Sequence, residues 1–211
     1  DECGTLKLKC PVIIMLRGYV DKEVYQPGLG TKKAAEVYAN KGFITLSPDF
    51  LGFGTSAPEP ENEIESRLIK PATVLQLLAS IPNLAVADPE NIFFWGHSNG
   101  GQIGLSVLAL TDKIKAATFW APVSKPFPYS ILYYTDDLDD HGKYLRNAVA
   151  KFESAYDPEL FSVTHYLDRI NTPLIVHQGT SDDSVPWKLS IYLIKSLQEL
   201  KKDAVLYQYS G

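Results

Sequence analysis

The sequence predicts an α/β fold: a mostly parallel sheet with helices on both faces. Apolar runs of strand length occur without polar alternation, as in strands covered on both sides. They alternate with stretches of helical pattern. Gly- or Pro-bearing loops separate the two. With 211 residues, 45% of them hydrophobic, the chain is long enough for one compact core, and residues 1–211 read as a single domain.

The first strand is "PVIIML", residues 11–16, running into a Gly-containing loop. "TKKAAEVYANKG", residues 31–42, reads as a helix with Thr31 as N-cap, Ala34, Val37 and Tyr38 facing inward, and Gly42 as its stop. "FITLSPDF" from Phe43 is the second strand, ended by Pro48 and followed by the glycine-rich "LGFGTSAPEP". From Glu61 a helical pattern runs to about Ile81, with Pro71 either kinking it or opening a second helix. "DPENIFFWG" is a turn entering the third strand, and "NGGQIGLSVLAL" is a helix whose glycines suit close packing rather than helix propensity. "IKAATFWAP" is the fourth strand. Residues 122–168, rich in Tyr, Asp and Pro, read as a lid-like insertion with one helix around Gly142 to Tyr156. "TPLIVHQG", "VPWKLSIYLIKSLQELKK" and "AVLYQYS" close the pattern as strand, amphipathic helix and strand.

The chemistry concentrates in "GHSNG", residues 96–100, a G-x-S-x-G stretch between a strand and a small-residue helix. That context defines a nucleophile elbow: Ser98 is held in a strained turn, and side chains at Gly96 and Gly100 would collide with the neighbouring elements. A serine hydroxyl needs a base oriented by an acid. "HQGTSDDSVP" puts Asp182 and Asp183 just past a later strand, where that acid belongs, although both are also suited to capping the helix that follows.

"MLRGY", "SPDFLGFGTS", "DPENIFFWGHSNGG" and "DPELFSVTHYLDRINTPLIVHQGTSDDSVP", in that order, resemble an α/β-hydrolase of the prolyl oligopeptidase type and its acyl-peptidase and esterase relatives. The resemblance spans essentially the whole chain. It implies a serine hydrolase that cleaves a peptide or ester bond through an acyl-enzyme, with a carboxylesterase of the same fold as the alternative. The family's G-x-x-D-x-x-V-P pattern falls on Gly179, Asp182, Val185 and Pro186, which selects Asp182. The N–H of Asn99 is implied as one oxyanion donor. The family's HGG-like loop is replaced by Arg17, Gly18 and Tyr19, so the Tyr19 N–H is the expected second donor, helped by its hydroxyl or by Arg17. Trp120 and Trp187, with Phe127, Tyr133 and Tyr134, are candidates for an apolar substrate pocket.

Four histidines occur, and none follows Asp182. His97 and His177 read as packing or orienting residues, His165 as a surface residue, and His141 as a substitute base in the insertion. The resemblance places the catalytic histidine after the last strand, so we expect a chain truncated at both ends, its base just beyond Gly211, and residues 1–211 nearly inactive by themselves. A non-catalytic binding relative is the reading from another class.

The formal charge, 20 minus 25, is −5, and the lysines form no basic run, which argues against nucleic acid. No apolar stretch is long enough to span a bilayer. No His, Cys or carboxylate cluster has metal-ligand spacing, and no cofactor is implied. Cys3 and Cys10 fit either a small disulfide loop in an exported protein or two unpaired thiols.

Overall fold

The computed structural model of the chain describes residues 9–135 and 138–211. Six strands form one sheet: β1 (Cys10–Leu16), β2 (Ile44–Leu46), β3 (Ala87–His97), β4 (Ile114–Trp120), β5 (Leu174–Gly179) and β6 (Ala204–Tyr209). Their order is β2-β1-β3-β4-β5-β6, and every neighbouring pair is parallel. The helices are α1 (Lys32–Ala39), α2 (Glu63–Ser80), α3 (Asn99–Leu108), α4 (Tyr129–Leu132), α5 (Lys143–Glu153) and α6 (Trp187–Glu199).

Parallel pairing follows from the composition of the strands. Val12 through Leu16 are all buried, and Ile14, Leu16, Phe94, Phe119 and Val176 meet in one core with α2, α3 and α6. Each such side chain contributes about 1.5–3 kcal/mol by leaving water. β5 and β6 differ, because their residues alternate. Leu174 and Val176 are buried, whereas Ile175, Val205, Tyr207 and Tyr209 are exposed on the opposite face. Trp120, His177 and Tyr207 are register partners, and their rings stack across the three strands.

Several local expectations are corrected. Thr31 stands at the N-cap of α1, but its hydroxyl bonds Gly28 O and Ser47 Oγ and leaves the helix uncapped. Val37 is exposed, while Tyr38 meets Phe43 edge-on. Pro71 opens no second helix. Ile64 packs against the insertion and Val74 and Leu78 against the sheet core, so contacts on both sides of the proline hold one helix. Asn62 starts that helix by accepting from the N–H groups of Ile64 and Glu65. Cys10 is buried and disulfide-bonded, so the unpaired-thiol reading does not hold there. Cys3 lies outside the described residues.

Among the described glycines, Gly100, where α3 meets β1, leaves the least room for a side chain. A Cβ on Gly100 would lie 1.9 Å from Leu16 O and 2.5 Å from Arg17 O, both backbone atoms that cannot swing away. Gly100→Ala is therefore expected to cost about 3 kcal/mol or more, the upper end for forcing atoms into a packed interior. For a domain of this size that lowers the melting temperature by about 6–12 °C. Gly179→Ala is the control, because the nearest atom to its Cβ is 3.7 Å away. Thermal unfolding of both variants checks this; a Gly100→Ala protein that melts with wild type would show that α3 does not approach β1 so closely.

Candidate active site

β3 delivers the chain to Ser98, which has φ 52° and ψ −118° and is the N-cap residue of α3. Left-handed backbone at a serine costs of order 1–3 kcal/mol and persists only where the surroundings impose it. Here they do. Ser98 N donates to Trp120 O at 2.9 Å, and Ser98 O accepts from Gly101 N, Gln102 N and Val123 N. The hydroxyl makes no cap bond to its own helix, and the residue is half-buried. A Cβ on Gly96 would meet the Phe119 ring at 2.9 Å, and Gly101 and Gly104 allow equally close packing on Pro122 and Phe119.

The sequence marks Gly18 only as part of the loop after β1, without its packing on Ser98. A Cβ there would stand 3.4 Å from Ser98 Cβ and 3.0 Å from His97 Nδ1, so the loop after β1 crosses directly over the elbow. Tyr19 follows, 70% exposed, and its hydroxyl donates to Asp21 Oδ1 at 2.7 Å. That bond, with some burial, raises the phenol's pKa and commits the hydroxyl to Asp21. Arg17 is only 5% exposed. Its guanidinium lies over Phe53 at 4.2 Å and Tyr25 at 4.7 Å, with Nη1 donating to Gly18 O. Burial lowers its pKa, and the side chain buttresses the loop under aromatic cover.

The loop after β5 distinguishes its two aspartates. Asp182 is half-buried, and its Oδ1 accepts from Val185 N at 2.8 Å and Ser184 N at 3.0 Å. Its Oδ2 accepts from Gln178 Nε2 at 3.2 Å. Asp183 is exposed and takes only the Ser184 hydroxyl at 3.3 Å. Gln178 is a residue the sequence reading passed over. Only 1% exposed at the end of an apolar strand, it also bonds Gly179 O and Val185 O and accepts from Ser190 at 2.7 Å. Its signal was a lone amide among strand residues that otherwise pack. Tyr134 also feels Asp182: burial, then Tyr133 and Asp182, push its phenol up to about 12.

The histidines are dispersed. His177 stacks on Trp120 at 4.2 Å and shares a 2.8 Å hydrogen bond with Tyr209 Oη; burial lowers its pKa. His165 pairs with Glu159 on the surface, and His141 has a left-handed φ just before α5. Burial lowers the pKa of His97, against the raising pull of Asp182. Among the described residues, neither Ser98 nor Asp182 accepts a hydrogen bond from His97, His165 or His177. The carboxyl end of β6 adjoins the Asp182 loop: Thr180 N donates to Tyr209 O, and Gly211 O is 3.7 Å from the position of a Cβ on Gly179.

Two cavities lie near the elbow. The larger, about 560 Å³, is bordered by Tyr19, Glu59, Glu63, Arg67 and Lys70. The smaller, about 80 Å³, lies between α2, α3 and the segment 127–161 and reaches Asn99. Phe127 lines it, whereas Trp120 is part of the aromatic stack and Trp187 begins α6, and neither borders either cavity. Among the described residues, no group of three or more His, Cys, Asp or Glu is placed to hold a metal ion, and no helix is long and apolar enough to cross a membrane.

The family model of the prolyl oligopeptidase family matches residues 30–211, taking in the elbow and the Asp182 loop. The chain belongs to that family. A protein of Schizosaccharomyces pombe described as a dipeptidyl aminopeptidase is 29% identical over 127 residues, 59% of this chain and 14% of its own length. A puromycin-hydrolyzing peptidase of Mycobacterium tuberculosis superposes with a TM-score of 0.71 at 19% identity, covering 96% of this chain and 30% of that one. A thermophilic esterase from Thermogutta terrifontis gives 0.64 at 17% identity, covering 96% and 73%. These structural likenesses establish the α/β-hydrolase fold. The chain spans about a seventh of the fission-yeast relative and under a third of the mycobacterial one.

Proposed function

We propose that the chain carries the acyl-transfer machinery of a serine hydrolase acting on small peptides or esters. The observation that carries this reading is the pairing of a strained, backbone-pinned Ser98 with an Asp182 whose two carboxylate oxygens are held by Ser184 N, Val185 N and Gln178. Ser98 Oγ attacks the substrate carbonyl. The Asn99 N–H, in the first turn of α3 and outside the helical ladder, stabilises the oxyanion together with the helix dipole, and the Tyr19 N–H is the second donor. Asp182 orients a histidine that takes the serine proton and returns it to the leaving group, and water then clears the acyl-enzyme. That histidine belongs between Ser98 and Asp182.

Residues 122–168 act in this reading as a lid-like insertion within one domain. Phe127, Ile131, Leu145 and Val149 pack on Ile64 of α2, and Phe127 and Ile131 wall one side of the cavity that reaches Asn99.

A fluorophosphonate tests the proposal, because it phosphonylates an activated serine and spares an ordinary one. In the full-length gene product we expect one adduct, on the peptide containing Ser98. A folded protein left unlabelled, or labelled elsewhere, would remove the hydrolase reading.

A further inference from the structure

Arg67 and Lys70 are three residues apart on α2, so they leave the same face of the helix. Both border both cavities, and the cavities differ in charge. Asp21, Glu23, Glu59, Glu63 and Asp140 share the wall of the larger one, whereas no carboxylate lines the smaller. Arg67 Nε is buried without a hydrogen bond, the Glu63 carboxylate standing 4.0 Å off. Ser130, also on the wall of the smaller cavity, is 6% exposed, and its buried hydroxyl has no partner. Burial, then the charges of Arg67, Arg17 and Lys22, bring the Lys70 ammonium down to about 8.

Buried donors left unpaired lose their hydration without return, and neighbouring cations repel. One ligand relieves all of this: an anion with several acceptor atoms. The cavity, at about 80 Å³, exceeds the roughly 30 Å³ share of one water, so it has room for a carboxylate. Asn99 ties its position to the reaction, because the residue after Ser98 is part of the cavity wall. An anion bound there would approach the carbonyl that Ser98 attacks from the Asn99 side. The Asp182 loop contributes nothing to this wall, yet the leaving group must depart toward the base that Asp182 orients. The anion therefore belongs to the acyl part of the substrate. Phe127, Ile131 and Phe161 complete the wall and suit the methylenes joining carboxylate to carbonyl.

We propose that this cavity is a carboxylate subsite and that the site favours acyl groups bearing a second, free carboxylate, such as glutaryl or an acidic aminoacyl group. Arg67 and Lys70 are its counter-ions and Ser130 its neutral donor. The proposal rests on the hydrolase reading of Ser98.

The test compares p-nitrophenyl hemiglutarate with p-nitrophenyl valerate, which has a neutral acyl group of similar length, on the full-length gene product. Charge-assisted hydrogen bonds to the acyl carboxylate are expected to favour hemiglutarate in kcat/KM about tenfold or more. In the Arg67→Gln/Lys70→Met double variant that ratio should fall to one or below, and Ser130→Ala should lower it several-fold. A wild-type ratio of one or less overturns the subsite whether or not the variants fold, as does an unchanged ratio in a folded double variant. If Ser98 takes the fluorophosphonate and the valerate ester is cleaved, such a result removes the subsite alone. If Ser98 is unlabelled and neither ester is cleaved, the hydrolase reading falls and the subsite with it.

Discussion

Replacing Ser98 with alanine is expected to lower kcat of the full-length gene product about 10⁶-fold, the scale of losing the nucleophile from a triad whose members act as a unit. The substitution isolates chemistry from folding. Alanine retains the Cβ beside Gly18 and inherits the same φ of 52°, and the hydroxyl it removes caps no helix. The four backbone hydrogen bonds to Trp120, Gly101, Gln102 and Val123 do not involve the side chain. The melting temperature should therefore stay within a few degrees of wild type. Steady-state hydrolysis of a p-nitrophenyl ester reads the first effect and calorimetry the second. A Ser98→Ala protein that keeps even a hundredth of the activity would mean that the acyl group is carried by another residue.

Asp182→Asn should lower kcat about 10⁴-fold, because a neutral amide neither fixes the required tautomer of the base nor stabilises the imidazolium. Asparagine is close to isosteric, and its carbonyl oxygen can still accept from Ser184 N and Val185 N, so the loop should hold although its amide nitrogen cannot accept from Gln178 Nε2. Asp183→Asn is the matched control one residue away. Exposed and bonded only to the Ser184 hydroxyl, it should change kcat no more than a few-fold. Equal losses from the two would leave the acid unassigned, and a larger loss at Asp183 would reverse the choice.

The elements that were legible share a physical basis. β1, β3 and β4 are short apolar runs, and burial on both faces leaves that mark on composition whatever the neighbours are. The elbow was legible because glycine is required where backbones approach, and Gly96 and Gly100 are such places. Other features had no local signature. The burial of Arg17 under Tyr25, Phe50 and Phe53 joins residues up to 36 positions apart in sequence, from 17 to 53. Gln178 became visible as the support of Asp182 only when its amide was seen to reach across the loop. Pro71 reads as a breaker in isolation and is overridden by packing on both sides.

By itself, then, the sequence determined the strand and helix order and the family, and pointed to Ser98 in its G-x-S-x-G turn and, through the family's pattern, to Asp182 over Asp183. These depend on periodicity and on residue types with special backbone needs, both of which act over a few neighbouring positions. Only the tertiary structure gave Asp182 and Asp183 their different hydrogen-bond partners, put Arg17 under aromatic cover, and brought Arg67, Lys70, Asn99 and Ser130 around one cavity whose wall carries no carboxylate. Charge pairing and desolvation are set by atoms a few ångströms apart in space, and residues 67, 99 and 130 become neighbours only when α2, α3 and the insertion pack together.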